Sequence, residues 1–150
     1  MSKETTTNEV LTAFGQEGRI LVSSTTSGGA LTVIDFSLAA GSETPTHVHH
    51  RESETIILHS GEVEAHLPDR VIRLRSGNAA YLPKGIPHRL KHVGTEPIHA
   101  TVIAVPGGFD LFWRDAAKAF AAGRPEMAEL ARIAAGHGIE FLNSQESGTD

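Results

Sequence analysis

From residue 19 to residue 105 the chain runs in short stretches where apolar and polar positions alternate, each stretch ended by a turn residue. Successive side chains on a strand point to opposite faces, so a period of two marks a half-buried strand. Residues 19–25 and 30–38 flank Ser27-Gly28-Gly29, a hairpin signal. In the second run Thr32, Ile34, Phe36 and Leu38 share one face. Residues 46–49 and 54–59 are extended around a polar turn at 50–53, and residues 62–67 put Val63, Ala65 and Leu67 on one side. Residues 71–75, 79–82, 88–93 and 98–105 bring the count to about nine strands. Short strands with frequent turns predict an antiparallel sandwich or barrel, not a parallel sheet.

The period changes after Pro106. Phe109, Phe112, Trp113, Ala116 and Phe120 recur at helical spacing behind Gly107-Gly108. Arg124-Pro125 predicts the opening of a second helix, with Met127, Leu130, Ala131, Ile133 and Ala134 on its apolar side. Gly136-His137-Gly138 ends it. The expected organisation is an N-terminal tail over 1–18, a β-barrel over 19–106, C-terminal helices over 107–138 and a tail over 139–150.

Composition narrows the classes of function. A chain of 150 residues suits one domain. Its net charge of -5 lacks the basic excess of a nucleic-acid binder. The absence of cysteine excludes disulfides, thiolate metal sites and a cysteine nucleophile, and fits a reducing cytoplasm. The polar start MSKETTTNE predicts no secretory signal, and no apolar run approaches the ~18 residues of a membrane span. The expectation is a cytoplasmic protein with neither a membrane nor a nucleic-acid partner.

Histidine is the unusual residue. Eight of the nine histidines lie between His47 and His99. Neutral imidazole is the commonest metal ligand, so their spacing matters. In GSETPTHVHHRESETIILHSG, residues 41–61, His47 and His49 stand two apart on an extended segment. They share a face, with Cα atoms roughly 6.6 Å apart, and two imidazoles so placed converge on one ion. Glu54 would point the opposite way on a straight strand, but the turn at 50–53 starts a new one with Glu54 at its head. In GNAAYLPKGIPHRLKH, residues 77–92, the Pro83-Lys84-Gly85-Ile86-Pro87 loop reverses the chain and His88 opens the next strand. His88, Leu90 and His92 face one way. Three histidines and one carboxylate therefore have a route to one point inside a barrel.

These two stretches resemble the two cupin motifs. Gly41, His47-x-His49, Glu54 and Gly61 match the fixed positions of the first, and Gly77, Pro83-x-Gly85 and His88 those of the second. The resemblance implies an all-β double-stranded β-helix, a jelly-roll barrel of two packed sheets, here carrying the C-terminal α-helical extension. It also implies that His47, His49, Glu54 and His88 bind one divalent metal, drawn from Fe, Ni, Mn, Co or Zn. The motif usually closes with asparagine where this chain has His92. About 13 Å of strand separates His92 from His88, so a pocket role and a plain interior role both stand for it. His49-His50-Arg51-Glu52-x-Glu54, Gly61-Glu62-Val63-Glu64 and Pro106-Gly107-Gly108-Phe109 are similar to single-domain, quercetinase-like cupins. That resemblance implies a dioxygenase acting on a flavonol or related aromatic, in which Glu54 both ligates the metal and takes the proton of a substrate hydroxyl. It also implies a homodimer. A redox-neutral lyase, isomerase or cyclase and a non-catalytic small-molecule binder need the same four residues.

Of the other candidates, His50 reads as a solvated turn residue and Glu52 as the competitor of Glu54. His59 and His66 fall on outward faces, His99 has some chance of lining the pocket, and Tyr81 packs or donates to substrate. The predicted inward set is Ile34, Phe36, Ile56, Leu58, Val63, Ala65, Leu67, Ile72, Leu74, Leu90 and one face of 98–105, with no lysine or arginine. Such a lining suits an apolar or aromatic substrate.

Overall fold

A computed structural model describes residues 9–41 and 44–142. The chain forms β1 (Glu9–Ala13), β2 (Gln16–Val22), β3 (Thr32–Leu38), β4 (His47–His49), β5 (Ser53–Ser60), β6 (Glu62–Leu67), β7 (Arg70–Leu74), β8 (Ala79–Leu82), β9 (Arg89–Val93) and β10 (Ile98–Val105). Helices α1 (Phe109–Ala121) and α2 (Met127–Gly136) follow, and then β11 (Ile139–Phe141). No helix among the described residues is long and apolar enough to cross a membrane.

Every strand pair is antiparallel. One sheet has the order β1-β2-β3-β10-β5-β8 and a second the order β7-β6-β9. A third pairs β11 with β4. The last two continue each other: His47 and His88 exchange backbone hydrogen bonds of 3.0 and 2.9 Å, and the Thr44 N–H donates to the Leu90 carbonyl. The fold is thus two facing sheets with connections that skip between them, a double-stranded β-helix with a short helical segment at its end.

The alternation seen in the sequence fills the space between the sheets. Ile34, Phe36, Ile56, Leu58, Val63, Ala65 and Leu74 are buried, and Leu67, Ile72 and Leu90 are partly buried against them. Each fully buried Leu or Ile contributes about 1.5–3 kcal/mol relative to exposure.

The barrel extends beyond both expected ends. Residues 9–13 and 16–18, read as tail, form β1 and the start of β2. Their hairpin turns at Phe14-Gly15, where both residues have positive φ, 55° and 71°. That conformation is unfavourable for a bulky residue. Phe14 is held there by rings of Phe112, Trp113, Phe120 and Phe141 around it. Residues 139–141, also read as tail, form β11 and pair with the strand that carries His47 and His49. Residues 1–8 and 143–150 of the two expected tails lie outside the described residues.

Helix α1 presents Phe109, Phe112, Trp113 and Ala116 inward, all buried. It packs against β1 and β3. The indole Nε1 of Trp113 donates to the Leu11 carbonyl at 2.9 Å. Helix α2 begins at Met127, two residues after Pro125, and buries only Leu130 and Ala134. Met127 and Ala131, expected on its apolar side, are exposed.

The close approach of α1 explains Gly18. A Cβ there would stand 2.5 Å from Nε1 and 2.9 Å from Cε2 of Trp113. Gly18→Ala is expected to destabilise the protein by about 1–3 kcal/mol through overpacking. Urea denaturation measures it, and an unchanged midpoint would mean that α1 sits elsewhere.

Candidate metal centre

His47 and His49 leave β4 on the same side, Glu54 lies near the start of β5, and His88 precedes β9. The backbone bridge between His47 and His88 brings the two motifs together. Ring centroids of His47 and His88 are 4.5 Å apart, those of His47 and His49 5.1 Å, and those of His49 and His88 5.7 Å. Oε1 of Glu54 lies 3.2 Å from Nε2 of His49 and 3.4 Å from Nε2 of His88. One ligand atom from each of the four residues falls within 4.8 Å of every other.

The opposite ring nitrogens are tied back, which fixes tautomers. Nδ1–H of His47 donates to the Pro45 carbonyl at 2.8 Å. Nδ1–H of His49 donates to Oε2 of Glu52 at 2.5 Å, with both side chains buried. Each ring then directs its Nε2 lone pair toward the shared point, as a metal-binding histidine requires. Nδ1 of His88 has no partner among the described residues. Three neutral nitrogens and one hard oxygen at these separations fit a single divalent ion.

Charge is unevenly spread over the four. Burial, with help from the adjacent His88 and His49 rings, holds the His47 pKa far below the ordinary imidazole range, at about 3. Burial also opposes charge on His49. The Glu54 carboxylate, and Glu52 through its hydrogen bond and charge, outweigh that and raise His49 above 6.5. Burial pushes Glu54 up, but His49 first, and then His88 and His47, pull it down to about 2. The metal-free centre therefore favours an ionised Glu54 and a charged His49. Metal competes with protons for the imidazole nitrogens, so affinity rises with pH.

The same shifts predict how metal-free stability depends on pH. Between 6.5 and about 3, His47 takes up a proton in the unfolded chain but not in the folded one; Glu54 behaves likewise between 4.5 and about 2. Both therefore lower stability toward acid. The His49 contribution is full below 6.5 and is lost as pH rises through its raised folded value. Together these groups place the stability maximum of the metal-free protein near pH 6.5. Denaturant midpoints across about pH 4 to 9 check this, and a curve without a maximum in that interval would contradict it.

Glu52 has a different role from the competing ligand read in the sequence: it faces Nδ1 of His49, not the shared point. Glu52→Ala is expected to weaken metal affinity by about 10–100-fold while leaving the stoichiometry intact. Titration with a competing chelator measures this, and an unchanged affinity would remove Glu52 from the account.

A cavity of ≈ 880 Å³ opens onto the four residues. Barrel residues such as Ile56, Leu82 and Val102 form one wall, and Phe109, Phe112 and Phe120 of the α1 region another. The aromatic face of α1 thus closes over the interior rather than packing outside the barrel. Phe14 and Phe141, from segments read as tails, also line the cavity. Arg124 of the α1–α2 loop lines it too, adding a cation that strand parity did not reveal. His92 is buried and lines it as well.

The remaining sequence candidates lie elsewhere. His50 is exposed and bonded to Glu140 at 3.0 Å. His59 faces Thr101 on the outside of the sheet, and His66 faces Glu64. His99 is exposed beside Asp35, away from the main cavity. Tyr81 is 57% exposed, so it neither packs inside nor reaches the cavity.

Residues 34–104 match the Cupin_2 family, described as a cupin domain. No curated protein matches the chain significantly. Solved structures share the fold. An RmlC-like cupin from Shewanella frigidimarina is 17% identical with a TM-score of 0.59, over 69% of this chain and 88% of that one. The polyketide cyclase RemF from Streptomyces resistomycificus is 24% identical with a TM-score of 0.56, over 70% and 80%. A double-stranded β-helix protein from Klebsiella pneumoniae is 26% identical with a TM-score of 0.52, over 59% and 70%. Residues 34–104 thus match a cupin domain, and the solved structures show the same double-stranded β-helix architecture. The arrangement of His47, His49, Glu54 and His88 adds a centre able to hold one metal ion.

Proposed function

We propose that this chain is a metal-dependent cupin oxygenase acting on a flavonol or related aromatic small molecule. The observation that carries the reading is the placement of three imidazoles and one carboxylate at an apolar, aromatic-walled cavity of ≈ 880 Å³. A divalent ion bound there supplies Lewis-acid and O2-dependent redox chemistry.

The chain's own residues do the rest. His47, His49 and His88 hold the ion through nitrogens whose orientation is set by Pro45, Glu52 and the strand bridge. The apolar walls exclude water and favour a flat aromatic ligand. Glu54 is ionised and accepts the proton of a substrate hydroxyl. Its low pKa makes it a weak base, so the hold of His49 and His88 on Oε1 must loosen before the carboxylate takes a proton.

A redox-neutral cyclase, isomerase or lyase at the same centre is the second reading, because the polyketide cyclase RemF shares this fold. Metal analysis of the purified protein, combined with O2 uptake on a panel of flavonols and phenols, separates the two. Uptake that requires the metal supports the oxygenase. Conversion of an aromatic substrate without O2 uptake supports the redox-neutral reading.

A further inference from the structure

His92 stands apart from the metal centre, four residues along the chain from His88. It is 8% exposed and sits on β9 opposite Val63. The Gly41 backbone N–H donates to its Nδ1 at 2.5 Å. A ring nitrogen that accepts a hydrogen bond carries no proton, so in the neutral ring the hydrogen sits on Nε2. That Nε2–H is buried and has no acceptor among the described residues. Buried donors without partners are rare and call for an explanation. The neighbourhood gives one, because His92 lines the same cavity as His47, His49, Glu54 and His88, among apolar residues such as Leu38, Leu90 and Ile98.

We propose that His92 is a specificity residue whose Nε2–H donates to an uncharged oxygen at the far end of the ligand. The inference rests on the aromatic-ligand reading above and sharpens it. The ligand is an elongated, largely apolar ring system. One end carries the oxygen directed to the metal centre, and the other carries a hydroxyl or carbonyl oxygen. The two ends are separated by up to the about 13 Å that four residues of strand span. Nothing in this assignment requires His92 to titrate or to touch the metal.

The test compares two probes on the zinc-loaded protein, in which the redox-inert ion prevents turnover. Unsubstituted flavonol carries only the metal-directed oxygens. Kaempferol adds hydroxyls on both outer rings. Trp113 is the single tryptophan and lines the cavity, so its fluorescence reports binding. Wild type is expected to bind kaempferol about tenfold tighter than flavonol, the size of one well-made hydrogen bond. His92→Phe and His92→Met are expected to bring that ratio to about one by weakening kaempferol alone, with zinc content unchanged. His92→Gln, which keeps a donor, restores part of the preference. In wild type, nitrogen-15 NMR should show the His92 Nε2–H shifting with kaempferol and not with flavonol, a readout that does not depend on any variant folding.

A ratio that survives loss of the imidazole would overturn the role of His92 and leave the aromatic-ligand reading standing. An equal loss for both probes would make His92 a packing residue. Failure of zinc-loaded wild type to bind either probe would overturn the ligand class and this assignment together.

Discussion

His49→Ala is expected to abolish metal binding and to destabilise the fold at once. The substitution removes one of the four converging ligand atoms. It also strips Glu52, a carboxylate that is 4% exposed, of its buried partner. Breaking a buried pair from one side costs about 3–5 kcal/mol. His47→Ala, His88→Ala and Glu54→Ala are expected to lose the metal as well, each by more than the about 100-fold upper range for an outer partner. His50→Ala, His59→Ala and His66→Ala are expected to keep it, because those rings face Glu140, Thr101 and Glu64 instead. Metal content by elemental analysis, paired with denaturant midpoints, reads both effects. A protein that loses its metal with His50→Ala and keeps it with His49→Ala would show the strand register wrong by one.

Truncation after Pro106 is the second large effect. It removes Phe109, Phe112, Trp113 and Ala116, all buried against the barrel, together with β11. Loss of a single buried Phe or Trp side chain costs about 3–5 kcal/mol, and a whole domain is stable by about 5–15 kcal/mol. The shortened chain is therefore expected to be unfolded or insoluble. The cut also strips β4 of its pairing partner: Phe141 stands opposite His47 and Ile139 opposite His49. The strand that carries two of the four metal-centre residues then keeps only the bridge to His88 and the Gly85 N–H bond to the His49 carbonyl among the described residues. A soluble truncated protein that holds its metal would show that the helices serve only as a cover over the cavity. Circular dichroism and metal content of the truncated chain decide between these results.

The centre was legible in the sequence because its rules are local. His47 and His49 share a face through the period of two. A turn re-aims Glu54, and a Pro-Gly loop delivers His88. Those relations survive whatever the rest of the chain does. The core positions Ile34, Phe36, Ile56 and Leu58 were legible for the same reason. What was not legible depends on distant partners. Residues 9–18 carry Val10, Leu11, Ala13 and Phe14 without a clean alternation, and β1 is an edge strand held by its pairing with β2 and by α1. Residues 139–141 are too short to signal a strand and pair only because α2 returns the chain to β4. Glu52 sits in the turn where strand parity fails, so spacing alone did not show that it would face His49. The sequence did place an apolar stripe on α1, but a stripe does not say whether it covers an outer wall or a cavity. Phe14, in the β1–β2 turn, packs on that stripe and lines the cavity together with it.

The most direct test of the central claim is anomalous diffraction from crystals soaked in a divalent metal. The account predicts one ion per chain, about 2.0–2.2 Å from Nε2 of His47, His49 and His88 and from a carboxylate oxygen of Glu54. The Nδ1 bonds of His47 to Pro45 and of His49 to Glu52 should remain intact. An ion held instead by the outer-face residues His59, His99 and Asp35, or no ion at all with the four residues hydrogen-bonded to one another as they are here, would contradict it.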